Sequence, residues 1–339
     1  MQQLTNTDCS IIDWGGIVPS VVLGLCTLVG VPGNGLVVWI ILKQIRRATF
    51  TVKMMLNLAL ADILTLITLP FWIYALLCSW KLGGGWCRVL SYVVYCSMYA
   101  SVLTITLMSV HRSFMVLHPQ CKQGLNWARQ RLLLAAVWAL ACLLASPVIA
   151  ARDVEKKDGR LKCLATVYKS GWKKVSLLLL ETLAGFVLPY MVLATSYFCI
   201  SRRVSRMARP KGKRLWKLIM WIVLTFFVFW LPYHAFNILH VATMSLTGSS
   251  KDKVTGLKMV LDRGSNIAGA LAFINSCINP FLYALASRSL RGRITYISIR
   301  KLFRNSTTAE SHALDSRKAL NQHDSQNTQT PCPIRKDEL

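Results

Sequence analysis

"VLSYVVYCSMYASVLTITLMSVHRSFMV", residues 89–116, decides where this chain can live. Between Arg88 and Arg112 no side chain carries a formal charge, counting histidine as neutral. A surface helix of a soluble protein alternates apolar and polar faces, and this stretch has no polar face. A helix of about twenty such residues crosses the hydrocarbon core of a bilayer. The run that contains it, 85–116, is one of seven, the others lying near 17–42, 52–77, 132–151, 175–200, 215–243 and 266–286. The chain as a whole is 54% hydrophobic and 16% charged, where a soluble domain carries roughly a quarter charged residues. The reading is an all-α membrane protein, a bundle of seven transmembrane helices over 17–286. An N-terminal segment, 1–16, precedes it. No internal repeat is visible.

Lysine and arginine set the orientation, since they gather on the cytosolic side. Residues 1–16 have none. The connection after span 1 has Lys43, Arg46, Arg47 and Lys53, and the connection between spans 5 and 6 runs from Arg202 to Lys217 with eight. Ten more follow span 7. The N-terminus is therefore expected outside and the C-terminus in the cytosol of a multi-pass plasma-membrane protein. The terminal Lys336-Asp337-Glu338-Leu339 has the form of a lumenal retention signal, but on the cytosolic side it is a coincidence. The same holds for the sequon Asn305-Ser306-Thr307. One outer loop departs from the charge rule. Between spans 4 and 5 lie Arg152, Lys156, Lys157, Arg160, Lys162, Lys169, Lys173 and Lys174, against the acids Asp153, Glu155 and Asp158. The loop is either simply solvated or an electrostatic funnel for an anion.

Of eleven cysteines, Cys26, Cys96, Cys142, Cys199 and Cys277 fall within spans and read as packing residues. Cys87, at the outer start of span 3, and Cys163, in the basic loop, face an oxidising compartment and can pair. Cys9 and Cys78 could form a second bond. Cys332 stands alone in the tail.

Ionisable groups within a bilayer are costly and mark function by default. Only two acids lie in the spans, Asp62 and Glu181. Asn34, Ser101, Asn275, Ser276 and Asn279 are further polar groups at mid-depth. Asp62 with such oxygens suits a sodium ion; a neutral, hydrogen-bonded Asp62 that fixes helix packing is the equal alternative. No other cofactor or metal is indicated. Pro32, Pro70, Pro147, Pro189, Pro232 and Pro280 each remove a backbone hydrogen bond and permit a kink. Phe226, Trp230 and Tyr233 flank Pro232, while Phe227 and Phe229 read as core. Residues 287–304 form an amphipathic helix on the inner leaflet, with Leu290, Ile294, Ile297, Leu302 and Phe303 on one side and Arg291, Arg293, Arg300 and Lys301 on the other. From 305 to 339 the chain reads as a disordered, serine- and threonine-rich tail open to phosphorylation.

In this order, these residues resemble the rhodopsin-like G-protein-coupled receptors. The resemblance rests on Gly33-Asn34, Leu58-Ala59-Leu60-Ala61-Asp62, the pair Cys87 and Cys163, Trp138, Pro147, Pro189 and Tyr197. It continues with Phe226, Phe229-Trp230-Leu231-Pro232-Tyr233 and Asn279-Pro280-Phe281-Leu282-Tyr283. It covers residues 17–303. Within that family, "VPGNGLVVW" (31–39), "SMYASVLTIT" (97–106), "ETLAGFVLPY" (181–190) and "FWLPYHAFNIL" (229–239) resemble the leukotriene B4 receptors. That resemblance implies a hydroxylated eicosanoid carboxylate as ligand, inhibitory G proteins as partners, chemotaxis and inflammation as the outcome, and receptor kinases and arrestin acting on the tail. It implies a ligand site at Tyr99, Arg152, Lys174, Glu181 and Asn237. It implies a sodium site at Asp62, Ser101, Asn275 and Ser276. His111, Arg112, Tyr197, Trp230, Asn279, Pro280 and Tyr283 carry coupling and switching. Ser91 and Ser265 depart from a histidine and an arginine of one subtype.

Where the family has acid–arginine–tyrosine, this chain has His111-Arg112-Ser113. The acid holds the arginine in the resting state. No Asp or Glu lies between Asp62 and Asp153, or between Glu181 and Asp252, so every cytosolic loop lacks carboxylates. Arg112 is expected to rest on neutral partners such as Tyr197, Ser113 or backbone carbonyls.

Two other readings compete. A chemoattractant receptor for an anionic peptide would also use the basic loop. A transporter or channel would show repeat symmetry or a charged path, and neither is visible. No nucleophile–base–acid set or metal-spaced cluster points to an enzyme, and nothing points to nucleic acid.

Overall fold

The computed structural model describes residues 14–118, 126–157, 159–165, 171–204, 210–245, 261 and 264–286. The expected inner-leaflet helix at 287–304, the tail, Cys9, Cys332 and most of the N-terminal segment lie outside these residues. Span 1 is Trp14–Leu42, span 2 Phe50–Leu66 followed by Leu69–Leu77, and span 3 Gly83–Leu117. Span 4 is Trp127–Ala145 followed by Pro147–Ala151. Span 5 is Gly171–Thr182 and Leu188–Val204, joined by a π-helical turn at Leu183–Val187, and span 6 is Pro210–Ser245. Six of these described helices are long and apolar enough to cross a bilayer. Span 7 is helical over 264–272 and Ile274–Ala286, with a turn at Phe273 between them.

The prolines explain the breaks, and side chains repair them. Pro280 has no N–H for the carbonyl four residues back, that of Ser276. Asn34 of span 1 donates its Nδ2 to that carbonyl at 2.9 Å and to the Gly30 carbonyl at 3.0 Å. Pro147 likewise leaves the Leu143 carbonyl, which accepts from Ser146 Oγ at 2.8 Å. Pro189 deprives the Gly185 carbonyl, and here the backbone widens into the π turn. Freed carbonyls in a bilayer must find donors within the protein, and at Pro147, Pro189 and Pro280 the repair is a polar side chain or a change of helix type.

Small residues let the spans approach. A Cβ on Gly30 would lie 2.6 Å from Leu66 Cδ1 and 3.0 Å from Cys277 Sγ, so only glycine fits where spans 1, 2 and 7 meet. Leu23, Cys26, Leu66, Leu69, Ala270 and Cys277 form the buried cluster there. A second cluster, Ala61, Cys96, Tyr99, Ala100, Ala141 and Ala145, joins spans 2, 3 and 4. It continues into a polar chain, with Trp138 Nε1 donating to Asn57 Oδ1 at 2.8 Å and Asn57 Nδ2 to Thr104 Oγ1 at 2.7 Å. Cys199 differs from the expected packing role, being exposed on the outside of span 5.

The basic loop is an antiparallel hairpin, β1 (Arg152–Lys157) and β2 (Arg160–Ala165), with Val154 opposite Cys163. The Cys87–Cys163 disulfide ties it to the start of span 3. Trp80 N donates to the Leu161 carbonyl at 2.8 Å, Leu161 N to Ser79 Oγ at 3.0 Å, and Arg160 to the Leu77 carbonyl at 3.3 Å. Trp80 is buried beneath it with Leu90. Cys78 is also disulfide-bonded.

Candidate functional site

The hairpin carries Arg152 from the end of span 4 over the bundle. Beneath it lies a cleft of about 110 Å³ lined by Tyr95, Val148, Ala151, Arg152, Lys174, Leu177, Leu178, Glu181 and Tyr233. Its polar groups form one chain across four elements. Tyr233 of span 6 donates to Glu181 Oε1 of span 5 at 2.6 Å. The Tyr233 and Tyr95 hydroxyls lie 3.4 Å apart, and Arg152 donates to the Tyr95 hydroxyl at 3.4 Å. An arginine has five N–H donors, and this is the one hydrogen bond that Arg152 makes through its side chain among the described residues. At the rim, Arg88 and Asp153 form an ion pair at 2.7 Å. The Val154 amide and then Arg88 hold the Asp153 carboxyl below its ordinary range.

Along span 6 beside the cleft, Trp230 Nε1, His234 Nε2 and Asn237 Nδ2 are buried without a partner among the described residues. Their spacing of four and three residues puts them on one face of span 6. His234 stacks between Phe186 (4.9 Å) and Trp230 (5.6 Å), and its Nδ1 lies 3.3 Å from Thr182 Oγ1. A Cβ on Gly185 would sit 3.5 Å from Tyr99 and 3.8 Å from His234, so the π turn of span 5 closes against this face. A buried unpaired donor costs about 1–3 kcal/mol; a polar atom entering here would recover it.

A second polar centre lies between spans 2, 3 and 7. Asp62 is fully buried and accepts from Ser101 Oγ at 3.1 Å and Asn279 Nδ2 at 2.8 Å.

Residues 33–283 match the family described as the 7 transmembrane receptor (rhodopsin family). The chain belongs to that family. Leukotriene B4 receptor 1 of Homo sapiens is 38% identical over 284 residues, which is 82% of this chain and 79% of that protein. The same receptor of Rattus norvegicus is 40% identical over 276 residues, 81% of this chain and 78% of its own. The C5a anaphylatoxin chemotactic receptor 1 of Cavia porcellus is 33% identical over 312 residues, 90% of this chain and 87% of its own. As a rhodopsin-family receptor the protein is not an enzyme, and its partner is a heterotrimeric G protein.

The receptor gathers some of the sequence-named residues and separates others. Arg152, Lys174 and Glu181 line the cleft. Tyr99 and Asn237 are buried outside its lining, Tyr99 one turn deeper on span 3 than Tyr95 and Asn237 one turn nearer the hairpin end of span 6 than Tyr233. Of the four residues named for sodium, Ser101 reaches Asp62. Asn275 is buried but makes no hydrogen bond with it, and Asn279, named for switching, takes that place. The Ser276 side chain also faces Asp62, while its carbonyl accepts from Asn34. Tyr95 was missed, and Tyr233 was noted only as a neighbour of Pro232. The sequence does not single them out: Tyr92, Tyr95 and Tyr99 share span 3, and helix rotation decides which hydroxyl meets the Glu181 chain. Ser91 lies 3.9 Å from Cys163 Sγ and Ser265 Oγ 3.3 Å from His240 Nε2, so both departures from the subtype serve local contacts.

At the far end of the receptor, Arg112 makes no hydrogen bond or ion pair with any described residue. The expectation that Ser113 supports it is corrected: the Ser113 hydroxyl reaches the Ser109 carbonyl at 3.0 Å and the Ser196 carbonyl at 3.3 Å. His111 packs edge-on against Phe50 with centroids 5.1 Å apart, and its Nδ1 is buried without a partner. The Tyr283 side chain lies outside the described residues.

Removing the Tyr233 hydroxyl should strand Glu181. Tyr233→Phe is expected to destabilise the purified receptor by about 1–3 kcal/mol, seen as a lower melting temperature. Adding Glu181→Leu to Tyr233→Phe should recover part of that loss. Strictly additive losses would show that the two side chains do not act together.

Proposed function

We propose that the receptor binds an anionic, hydroxylated lipid, leukotriene B4 or a related hydroxy-eicosanoid. In this reading it signals through inhibitory G proteins in chemotaxis and inflammation. One observation carries the reading. Arg152, with unused donors, stands on the wall of a leucine-lined cleft, and three unpartnered nitrogens lie along span 6 to either side of the level of the cleft-lining Tyr233. A carboxylate at Arg152 and hydroxyls at Tyr99, His234 and Asn237 would satisfy both ends. Lys174 adds charge at the mouth, and the hairpin's lysines steer the anion inward. A volume of about 110 Å³ is below the roughly 300–1,000 Å³ of ligand pockets, so the spans must part to admit the lipid. The leukotriene B4 receptor 1 relatives point to the same ligand.

The hairpin end is placed outside the cell and the opposite end in the cytosol, following the lysine and arginine distribution. Asp62 with Ser101, Asn275 and Ser276 is the proposed seat of a sodium ion, which prefers the oxygen ligands that these side chains offer. Phosphorylation of the tail would recruit arrestin. A peptide ligand is the second reading, favoured by the likeness to the C5a anaphylatoxin chemotactic receptor 1.

G-protein dissociation in transfected cells, across hydroxy-eicosanoids and anionic peptides, separates the two. A hydroxy-eicosanoid is expected to act. Arg152→Ala should raise the required concentration about 10- to 150-fold, the cost of a charged hydrogen bond. A response to peptides alone would overturn the lipid assignment.

His111 gives Arg112 no counter-charge, and no carboxylate is present in any cytosolic loop. A pair that would favour the inactive packing is missing, so the population shifts toward the active one. Basal nucleotide exchange is expected to fall in His111→Asp. A variant no quieter than the wild type would show that apolar packing alone sets the resting state.

A further inference from the structure

We propose that Gly84, Arg88 and Asp153 are positioning residues for Arg152. They fix where its guanidinium stands over the cleft, and so set the preference for a carboxylate over an uncharged ester. The inference rests on the lipid reading above and adds to it the residues that hold the cation in place.

Arg152 is only loosely held by its own side chain. Its hydrogen bond to the Tyr95 hydroxyl is long, at 3.4 Å, and its Cζ lies 5.9 Å from the centroid of the same ring. The backbone from which it projects therefore decides where the charge stands. That backbone is the joint where span 4 ends at Ala151 and β1 begins at Arg152.

Arg88, near the start of span 3, grips this joint with two arms of one guanidinium. Its Nε donates to the Arg152 carbonyl at 3.1 Å and its Nη2 to Asp153 Oδ2 at 2.7 Å. The other carboxylate oxygen, Oδ1, accepts from the Val154 amide at 2.8 Å. Both oxygens of Asp153 are thus engaged, one by β1 itself and one by span 3. Successive side chains of a strand point to opposite faces. Holding Asp153 toward Arg88 therefore sends Arg152 the other way, toward Tyr95 and the cleft. A rigid guanidinium fork suits this double task, which the point charge of a lysine does not. Because Asp153 occupies it, Arg88 does not compete with Arg152 for an arriving carboxylate.

Gly84 makes room for the grip. A Cβ there would lie 2.7 Å from Asp153 Oδ1, so a larger residue pushes the carboxylate away. The neighbouring disulfide has a different part. It runs from Cys87 to Cys163, which stands opposite Val154 on β2. The disulfide tethers the hairpin through β2, whereas the Arg88 fork acts on β1 at the residue that carries the cation.

Three substitutions disturb the grip with three different changes of charge. Arg88→Ala removes a cation, Asp153→Asn removes an anion, and Gly84→Ala changes neither. The test is competition binding of leukotriene B4 and its methyl ester against a labelled eicosanoid, on the full-length receptor. All three variants should lower the preference for acid over ester about two- to fivefold, the scale of a half-exposed ion pair. Affinity for the ester should hold. Arg88→Lys keeps the charge and should behave as Arg88→Ala. A purely electrostatic role would move Arg88→Ala and Asp153→Asn in opposite directions and leave Gly84→Ala unchanged, and that result would overturn the proposal. An equal loss for acid and ester, the mark of a general structural role, would overturn it too. Melting curves identify the folded variants, and Asp153→Asn, nearly isosteric, serves if Arg88→Ala is unstable. A wild-type preference that survives in every folded variant overturns this inference alone. A wild type that does not distinguish acid from ester overturns the carboxylate reading and this inference together.

Discussion

A carboxylate buried among membrane helices must be met by donors from other helices, because no water and no lipid tail can answer it. This receptor has two, and each organises one half of the bundle. Asp62 draws Ser101 of span 3 and Asn279 of span 7 onto span 2. Glu181 draws Tyr233 of span 6 onto span 5, and through Tyr95 the chain reaches span 3 and the hairpin's Arg152. The cleft is therefore the open part of a hydrogen-bond chain that first serves to hold the helices. An anion arriving at Arg152 would compete for a donor already turned to that chain, which is how binding could alter the contact between spans 5 and 6.

Span 6 is suited to relay such a change. Pro232 lies inside it, and Trp230, Tyr233 and His234 surround the kink. Phe186 stacks on His234 at 4.9 Å and lies 6.0 Å from Phe226, so the π turn of span 5 and the kink of span 6 share one aromatic seam. Stacked rings can slide with small loss of contact, whereas the unpartnered nitrogens of Trp230, His234 and Asn237 leave the resting arrangement short of hydrogen bonds. At the far end the acid that would hold Arg112 is replaced by His111.

The fold was legible because a bilayer leaves few choices. Seven apolar runs with few internal charges become helices, and Pro280 could be read in advance as a kink needing a donor. The partner was less so: that Asn34 answers the Ser276 carbonyl depends on how spans 1 and 7 pack. The same limit separates the acids from their neighbours. Asp62 and Glu181 stand out in any hydropathy reading, but Asn279 and Tyr233 are chosen over Asn275 and Tyr99 by helix rotation, which composition does not encode. The basic loop read equally as solvated or ordered. Its hairpin follows from the Cys87–Cys163 tether and the backbone bonds to Ser79, Trp80 and Leu77, contacts between segments up to about eighty residues apart.

The central claim is that Arg152 receives the carboxylate of a hydroxylated lipid. Competition binding of leukotriene B4 and its methyl ester against a labelled eicosanoid, on the wild type and on Arg152→Ala, tests it most directly. The wild type should prefer the free acid by at least about tenfold, and Arg152→Ala should bind acid and ester alike. An undiminished preference for the acid in Arg152→Ala, or none in the wild type, would contradict it.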